Sequence, residues 1–186
     1  MIQRISKIVA GLVLVVTVAT PLVAKSPTHT ISADIIDAFT EFEYAGDPLV
    51  PVGMFPWARG RVQGVGDAEM ELVTNNPSVG RYGGEFTGTF QVQRFGGYGG
   101  PKKGNSVEYL YGVVSAGNGN AYGNGYQVNY FATVTVTGGT GRYSGAAGTI
   151  NLRVYQNGIL DPAEHPDNFG FRIHSEFILD GQYSAP

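Results

Sequence analysis

At 186 residues, with 12 basic and 15 acidic side chains and no cysteine, the chain holds one domain's worth of sequence. The missing cysteine excludes disulfides, thiolate metal sites and cysteine nucleophiles, and the mild acidity argues against a nucleic-acid partner. The 28 glycines are interleaved with Val, Thr, Tyr and Phe, which describes a sheet protein with many turns rather than a disordered chain.

The first residues read as an export signal. Arg4 and Lys7 form a short basic start, residues 8–18 are apolar, Pro21 breaks the run, and Leu22-Val23-Ala24 ends on a small residue. The apolar run falls short of the roughly 20 residues a membrane-spanning helix needs. The expectation is a signal peptide over residues 1–24, cleaved after Ala24, and a mature chain that is secreted or periplasmic, with no membrane span of its own. Cleavage leaves 10 basic residues against 15 acidic ones, since Arg4 and Lys7 go with the signal.

Residues 25–56 are expected to form an N-terminal segment and loop, and residues 57–186 a β-barrel domain. In residues 31–44 the spacing of Ile35, Ile36, Phe39 and Phe42 suits a short helix, while alternation through Phe39, Glu41 and Glu43 suits a strand equally well. Residues 47–56 contain Pro48, Pro51 and Pro56 and are expected to be a loop. Residues 61–73 then alternate as a strand, with Val62, Gly64, Gly66, Ala68, Met70 and Leu72 on one face.

Asn75-Asn76-Pro77-Ser78 is a turn cluster, and its proline blocks the only glycosylation acceptor. Residues 84–95 alternate again, with Phe86, Gly88, Phe90 and Val92 opposite Glu85, Thr87, Thr89, Gln91 and Gln93. Residues 96–104 form an exposed loop, 106–116 a strand and 117–125 a glycine-asparagine turn. The clearest strand is 126–137, where Val128, Tyr130, Ala132, Val134 and Val136 share a face. Residues 138–145 turn the chain, 149–156 run back, 157–168 form a loop, and 169–180 close the chain as a last strand. Seven or eight strands at hairpin spacing, with no long helix between them, predict an antiparallel barrel or sandwich.

A faint echo links Gly80-Arg81-Tyr82-Gly83-Gly84 to Gly141-Arg142-Tyr143-Ser144-Gly145, each leading into a Gly-Thr-apolar step. This reads as one turn-into-strand device used twice rather than a repeat fold. Gly138-Gly139-Thr140-Gly141 superficially imitates a dinucleotide loop. The residues after it alternate as a strand and form no helix, so the context for holding a pyrophosphate is missing.

The stretch Ala132-Thr133-Val134-Thr135-Val136-Thr137-Gly138-Gly139-Thr140-Gly141-Arg142-Tyr143-Ser144-Gly145-Ala146-Ala147-Gly148 resembles the strand–GGTG–aromatic–x–GA–x–G hairpin of the allene oxide cyclase and dirigent proteins. The likeness covers the C-terminal half in motif and order. It implies an eight-stranded antiparallel closed barrel, calycin-like in build, and an apolar cavity that restricts a reactive guest. Such relatives cyclise a lipid epoxide or steer the coupling of phenoxy radicals. The resemblance thus implies an exported barrel that binds a small hydrophobic or phenolic molecule, and a homo-oligomer. The family's catalytic acids and tyrosines lie outside the hairpin, so none is carried over.

The residues themselves offer few reacting groups. Arg172, His174 and Glu176 share one face of the last strand. Turned inward, they would place an acid–base pair beside an anion holder; turned outward, they are an ordinary solvated face. Tyr109, Tyr111, Tyr130 and Tyr155 are the candidates for lining a cavity, with core or cross-strand packing as the alternative use of each. Asp161, Glu164, His165 and Asp167 cluster in one loop without ligand spacing, so no metal is expected there, and no cofactor motif is present. The competing reading is a non-enzymatic structural or interaction β-protein of the cell envelope, its barrel filled by its own side chains. The size of the inward residues separates the two.

Overall fold

The computed structural model describes residues 26–44, 51–76, 79–95, 107–122, 127–156 and 170–186. The expected signal peptide and the acidic loop around Asp161 and His165 lie outside the described residues. Eight strands run in chain order around a closed, antiparallel barrel: β1 (Thr28–Tyr44), β2 (Pro51–Val62), β3 (Gly66–Thr74), β4 (Gly84–Arg94), β5 (Glu108–Tyr122), β6 (Gln127–Gly139), β7 (Ala147–Gln156) and β8 (Gly170–Ser184). One helical turn, α1 (Val79–Tyr82), joins β3 to β4, and a single 3-10 turn at Gly141–Tyr143 joins β6 to β7. β8 returns to pair with β1, from Thr28↔Ser184 to Glu43↔Gly170, and leaves the barrel no free edge strand.

The first strand starts at Thr28, so residues 28–56, expected to precede the barrel, supply all of β1 and half of β2. The ambiguity in residues 31–44 resolves to a strand. Its helix-like spacing arises from a bulge between Ile35 and Ala38, which inserts one residue and shifts the alternation. The proline-rich stretch is also strand from Pro51 onward. At Pro56 only β1 flanks β2, because the β2–β3 ladder begins at Trp57, so the missing N–H falls where one edge is unclaimed. Residues 61–73, expected as one strand, contain the β2–β3 hairpin: Gly64 turns the chain at φ +83°. Residues 117–122, expected as a turn, continue β5 after a bulge at Ser115.

Alternation then decides what is inside. Val128, Tyr130, Ala132, Val134 and Val136 of β6 are buried, while Thr133, Thr135 and Thr137 face out. The other described strands largely alternate in the same way, apolar in and polar out, although Ile36 and Val113 stand exposed and Thr40, Gln156 and Ser175 are buried. Among the described residues no helix is long and apolar enough to cross a membrane.

The interior is packed with the chain's own side chains. Phe42, Met54, Met70, Leu72, Phe90, Leu110, Ile150, Leu152 and Phe177 are all but fully buried. Phe90 stacks on Phe177 at 6.4 Å across the barrel, and Phe86 meets Tyr130 edge-on at 6.4 Å. The small residues do not leave room. A side chain on Gly60 would meet Ile35 at 2.8 Å, one on Gly117 would meet the Phe86 ring at 2.6 Å, and one on Gly88 would strike the β3 backbone at the Val73 carbonyl. These glycines admit a neighbour's side chain or a close strand, which is how an eight-stranded barrel reaches native packing density.

Candidate functional site

Four buried, uncharged polar side chains form an arc inside one end of the barrel. Thr40 comes from β1, Ser175 from β8, Gln156 from β7 and Tyr130 from β6. The strands are consecutive neighbours, and Gln156 lies directly opposite Ser175. Thr40 and Ser175 share a hydrogen bond of 3.0 Å between their hydroxyls. The Ser175 hydroxyl donates onward to the Ile173 carbonyl at 3.3 Å, which makes Thr40 the donor of the pair. Gln156 donates from Nε2 to the Tyr130 hydroxyl at 2.6 Å, and its Oε1 accepts from the Val128 amide at 2.8 Å. Each group is satisfied, as a buried polar group must be.

The arc is made of hydroxyls and an amide. It can orient an oxygen or nitrogen function, and it has no carboxylate, imidazole or amine with which to move a proton at neutral pH. Among the described residues the buried side chains with polar groups include Thr40, Gln156, Ser175 and Tyr130, with Thr74 slightly less buried, and none of the buried side chains is charged.

The residues singled out from the sequence scatter. Tyr130 alone of the four tyrosines points inward. Tyr111 is exposed on the outside of β5, where it covers Gly138, and Tyr109 is half-buried on the same outer face. Tyr155 is half-buried on the outside of β7, edge-on to Phe131 at 5.9 Å. His174 and Glu176 lie on the outer wall: His174 is exposed and packs 4.6 Å from the Phe39 ring, in a row that continues to Trp57 at 5.3 Å from Phe39. Inward residues Ile173, Ser175 and Phe177 take the alternate positions, so this face is the solvated one and forms no acid–base pair inside the barrel. The side chain of Arg172 lies outside the described residues; its backbone pairs with Glu41. Among the described residues no cluster of His, Asp or Glu could hold a metal ion.

Sequence reasoning passed over Thr40, Gln156 and Ser175. The signal was present: Thr40 interrupts the inward series Ala38, Phe42; Gln156 ends the series Ile150, Leu152, Val154; and Ser175 sits between Ile173 and Phe177. A polar residue at an apolar parity marks the place where a barrel interior changes character.

The opposite end is closed by the glycine-rich hairpin. Thr140 clamps β5, its hydroxyl accepting from the Tyr109 amide at 2.9 Å and its amide donating to the Tyr109 carbonyl at 2.8 Å. Tyr143 then turns under the barrel, 1% exposed, edge-on to Tyr183 at 5.8 Å. Its hydroxyl is buried with no hydrogen-bond partner, and burial pushes the phenol up to about 12, with Tyr183 adding to the shift. Burial also raises Tyr183. Beside them Glu108 joins Arg94 at 2.9 Å and Arg142 at 3.0 Å. Burial alone would raise the Glu108 carboxyl, but the Arg142 amide and the two guanidiniums together hold it below its ordinary value.

The chain is therefore an eight-stranded antiparallel barrel with a hydrocarbon interior, a neutral polar arc at one end and an ion-paired, tyrosine-plugged closure at the other. No family model, no curated protein and no solved structure matches it.

Proposed function

We propose that this protein is a non-catalytic interaction barrel of the cell envelope, exported by the signal read in residues 1–24 and acting through its outer wall. The observation that carries the reading is the filled interior: the largest inward side chains keep almost no accessible surface, and the space beside Gly60, Gly117 and Gly88 is taken up by Ile35, Phe86 and the β3 backbone. A barrel that holds a guest needs a preformed concave space on the order of several hundred Å3. An interior that is its own guest leaves recognition to the outside.

A second reading has one observation in its favour. The arc of Thr40, Ser175, Gln156 and Tyr130 is the kind of neutral hydrogen-bonding set that would orient an uncharged apolar molecule with one oxygen function. That fits the resemblance of the hairpin to the allene oxide cyclase and dirigent proteins. In this reading the barrel binds such a molecule and steers its cyclisation or coupling.

Native mass spectrometry after exposure to a mixed lipid and phenolic extract separates them. The interaction reading expects the bare protein mass. A small-molecule mass that survives desolvation and disappears on denaturation would overturn it in favour of the second. The double variant Phe90→Ala, Phe177→Ala, which empties the stacked pair at mid-barrel, serves as the positive control: it should acquire apolar guests that the native protein refuses.

A further inference from the structure

A bulge on β5 makes a low place in the outer wall. In the β4–β5 ladder Thr87 alone faces Ser115 and Ala116, and in the β5–β6 ladder Ser115 is again the extra residue. Ser115 and Ala116 are both exposed, so two successive small side chains stand where a regular strand turns only one outward. The Ser115 hydroxyl donates to the Thr133 carbonyl at 3.1 Å and ties the bulge to β6. Beneath it the core is closed: a side chain on Gly117 would meet the Phe86 ring at 2.6 Å.

Two grooves meet at this low place. One, of about 610 Å3, runs toward β4 past Asn118, Glu85 and Asn76. The other, of about 420 Å3, runs toward β7 and β8 past Thr133, Asn151 and Arg153. Ala116 and Phe131 line both, so the two form one trench with the half-buried Phe131 ring at its middle. Register gives its span. Glu85 pairs with Asn118, Asn118 with Phe131 and Phe131 with Arg153, a row across β4 to β7 of roughly 14 Å.

The protein's own bonds hold the banks in place. Asn75 donates from its amide to the Thr87 carbonyl at 3.0 Å and accepts at Oδ1 from the Thr87 amide at 2.9 Å, and Asn76 Nδ2 donates to the Glu85 carbonyl at 3.2 Å. At the far end Asp180 accepts from Arg153 at 2.7 Å and from Asn151 at 3.4 Å. Tyr155 meets Phe131 edge-on at 5.9 Å and restrains the ring. Two buried polar atoms without a partner, Asn129 Oδ1 and Arg153 Nε, belong to residues beside Phe131, one two places back along β6 and one opposite it on β7. A hydroxylated ligand toward which either side chain can re-aim offers the bond it lacks.

This lining selects a class of ligand. Its one cation, Arg153, is already paired with Asp180, and Glu85 adds a negative charge, so a phosphate or a nucleic acid gains nothing there. One half-buried ring among amides and hydroxyls is too little apolar surface for a lipid chain. The strands beneath are paired on both sides around the closed barrel, so no strand edge is offered to a peptide. A neutral molecule with a C–H face and a rim of hydroxyls matches on every count. We infer that the trench binds a short neutral oligosaccharide, one pyranose laid against Phe131 and its neighbours held by the amides of Asn118 and Asn151. A side-chain amide both donates and accepts, as a pair of adjacent sugar hydroxyls requires, and the Glu85 carboxylate accepts from a hydroxyl at one end.

The inference rests on the interaction reading and names what the outer wall recognises. The test is an NMR titration of the isotope-labelled protein with millimolar cellotetraose, chitotetraose, maltotetraose and mannotetraose. With at least one of them, saturable shifts are expected at the side-chain amides of Asn118 and Asn151 and at the ring of Phe131. Phe131→Ala should weaken that sugar at least about tenfold. Ala116→Arg fills the waist of the trench from the solvent side and should abolish binding without a change in melting. Tyr111→Ala removes an exposed outer tyrosine that lines neither groove and should bind as the native protein does.

No saturable shift with any of the four sugars, or undiminished binding to Ala116→Arg, overturns the trench as a sugar site. Native mass spectra of the sugar-free protein report separately on the parent reading. A small molecule retained there until denaturation sinks the interaction reading, whereas a bare mass together with silent titrations sinks only the trench.

Discussion

The same three residues, Gly-Arg-Tyr, form a turn at each end of the barrel and do different work. In α1, Gly80-Arg81-Tyr82 follows Val79, which is fully buried and plugs its end, while Tyr82 stands 59% exposed. In the lower turn, Gly141-Arg142-Tyr143 follows Thr140, which is exposed, and Tyr143 is the plug. The backbones differ in step. The Gly83 amide reaches back four residues to the Val79 carbonyl, whereas Tyr143 and Ser144 each reach back three. Each turn leaves through a glycine at positive φ, Gly83 at +70° and Gly145 at +72°, and enters a strand. One exit device serves two turns; the residue each turn sends inward depends on what waits below it.

The largest effect expected is a contrast between the two tyrosines. Tyr143→Ala removes an aromatic ring held against Tyr183 at the barrel's closed end and should cost roughly 3–5 kcal/mol of unfolding free energy. Tyr82→Ala removes a ring that is mostly in water and should cost less than about 1 kcal/mol. Urea denaturation of both variants measures the difference. Equal losses would mean that the lower turn is not the plug its burial implies.

How far the sequence alone reaches is visible at these turns. Their shared glycine-tyrosine pattern announced a turn into a strand, and alternation in residues 84–95 separated the two faces of that strand: Phe86, Phe90 and Val92, which share one, are buried, although alternation alone did not say which face was the inner one. Period-2 patterning fails where a bulge adds a residue or where prolines stand in for an edge. That is why β1 read ambiguously and the start of β2 read as a loop. The candidate site was less legible. Which tyrosine points inward depends on register, and register is set by pairing partners far along the chain. Tyr130 and Tyr155 look alike in sequence, and one is core while the other is outer wall.

The next expected effect isolates the Tyr143 hydroxyl. A phenol whose folded value stands near 12 against about 10 in the unfolded chain stabilises the fold fully below pH 10, and that contribution is lost as pH rises toward 12. A difference of that size corresponds to about 2–3 kcal/mol, so the native protein should lose stability steeply across that alkaline window. Tyr143→Phe should flatten the loss. At pH 7 the same variant should be neutral or more stable by up to about 1 kcal/mol, because it deletes a buried hydroxyl that has no partner. A clear destabilisation of Tyr143→Phe at neutral pH would show that the hydroxyl is bonded after all.

The smallest effect concerns the charges that tie the lower turn to β5. Glu108 accepts from the Arg142 amide at 3.3 Å and pairs with the side chains of Arg142 and Arg94, and its carboxyl is held below the ordinary value. A lowered carboxyl contributes stability above its unfolded value near 4.5 and loses it as pH falls through the lower folded value. Glu108→Gln should therefore flatten the acid limb of the stability profile below about pH 4.5 and cost no more than about 1 kcal/mol at pH 7, because the group is partly solvated and screened. Raising the salt concentration should shrink that cost further. If the cost instead matches that of Tyr143→Ala, the closure of this end is electrostatic rather than steric. The plug would then be the carboxylate between two arginines, and the tyrosine only its cover.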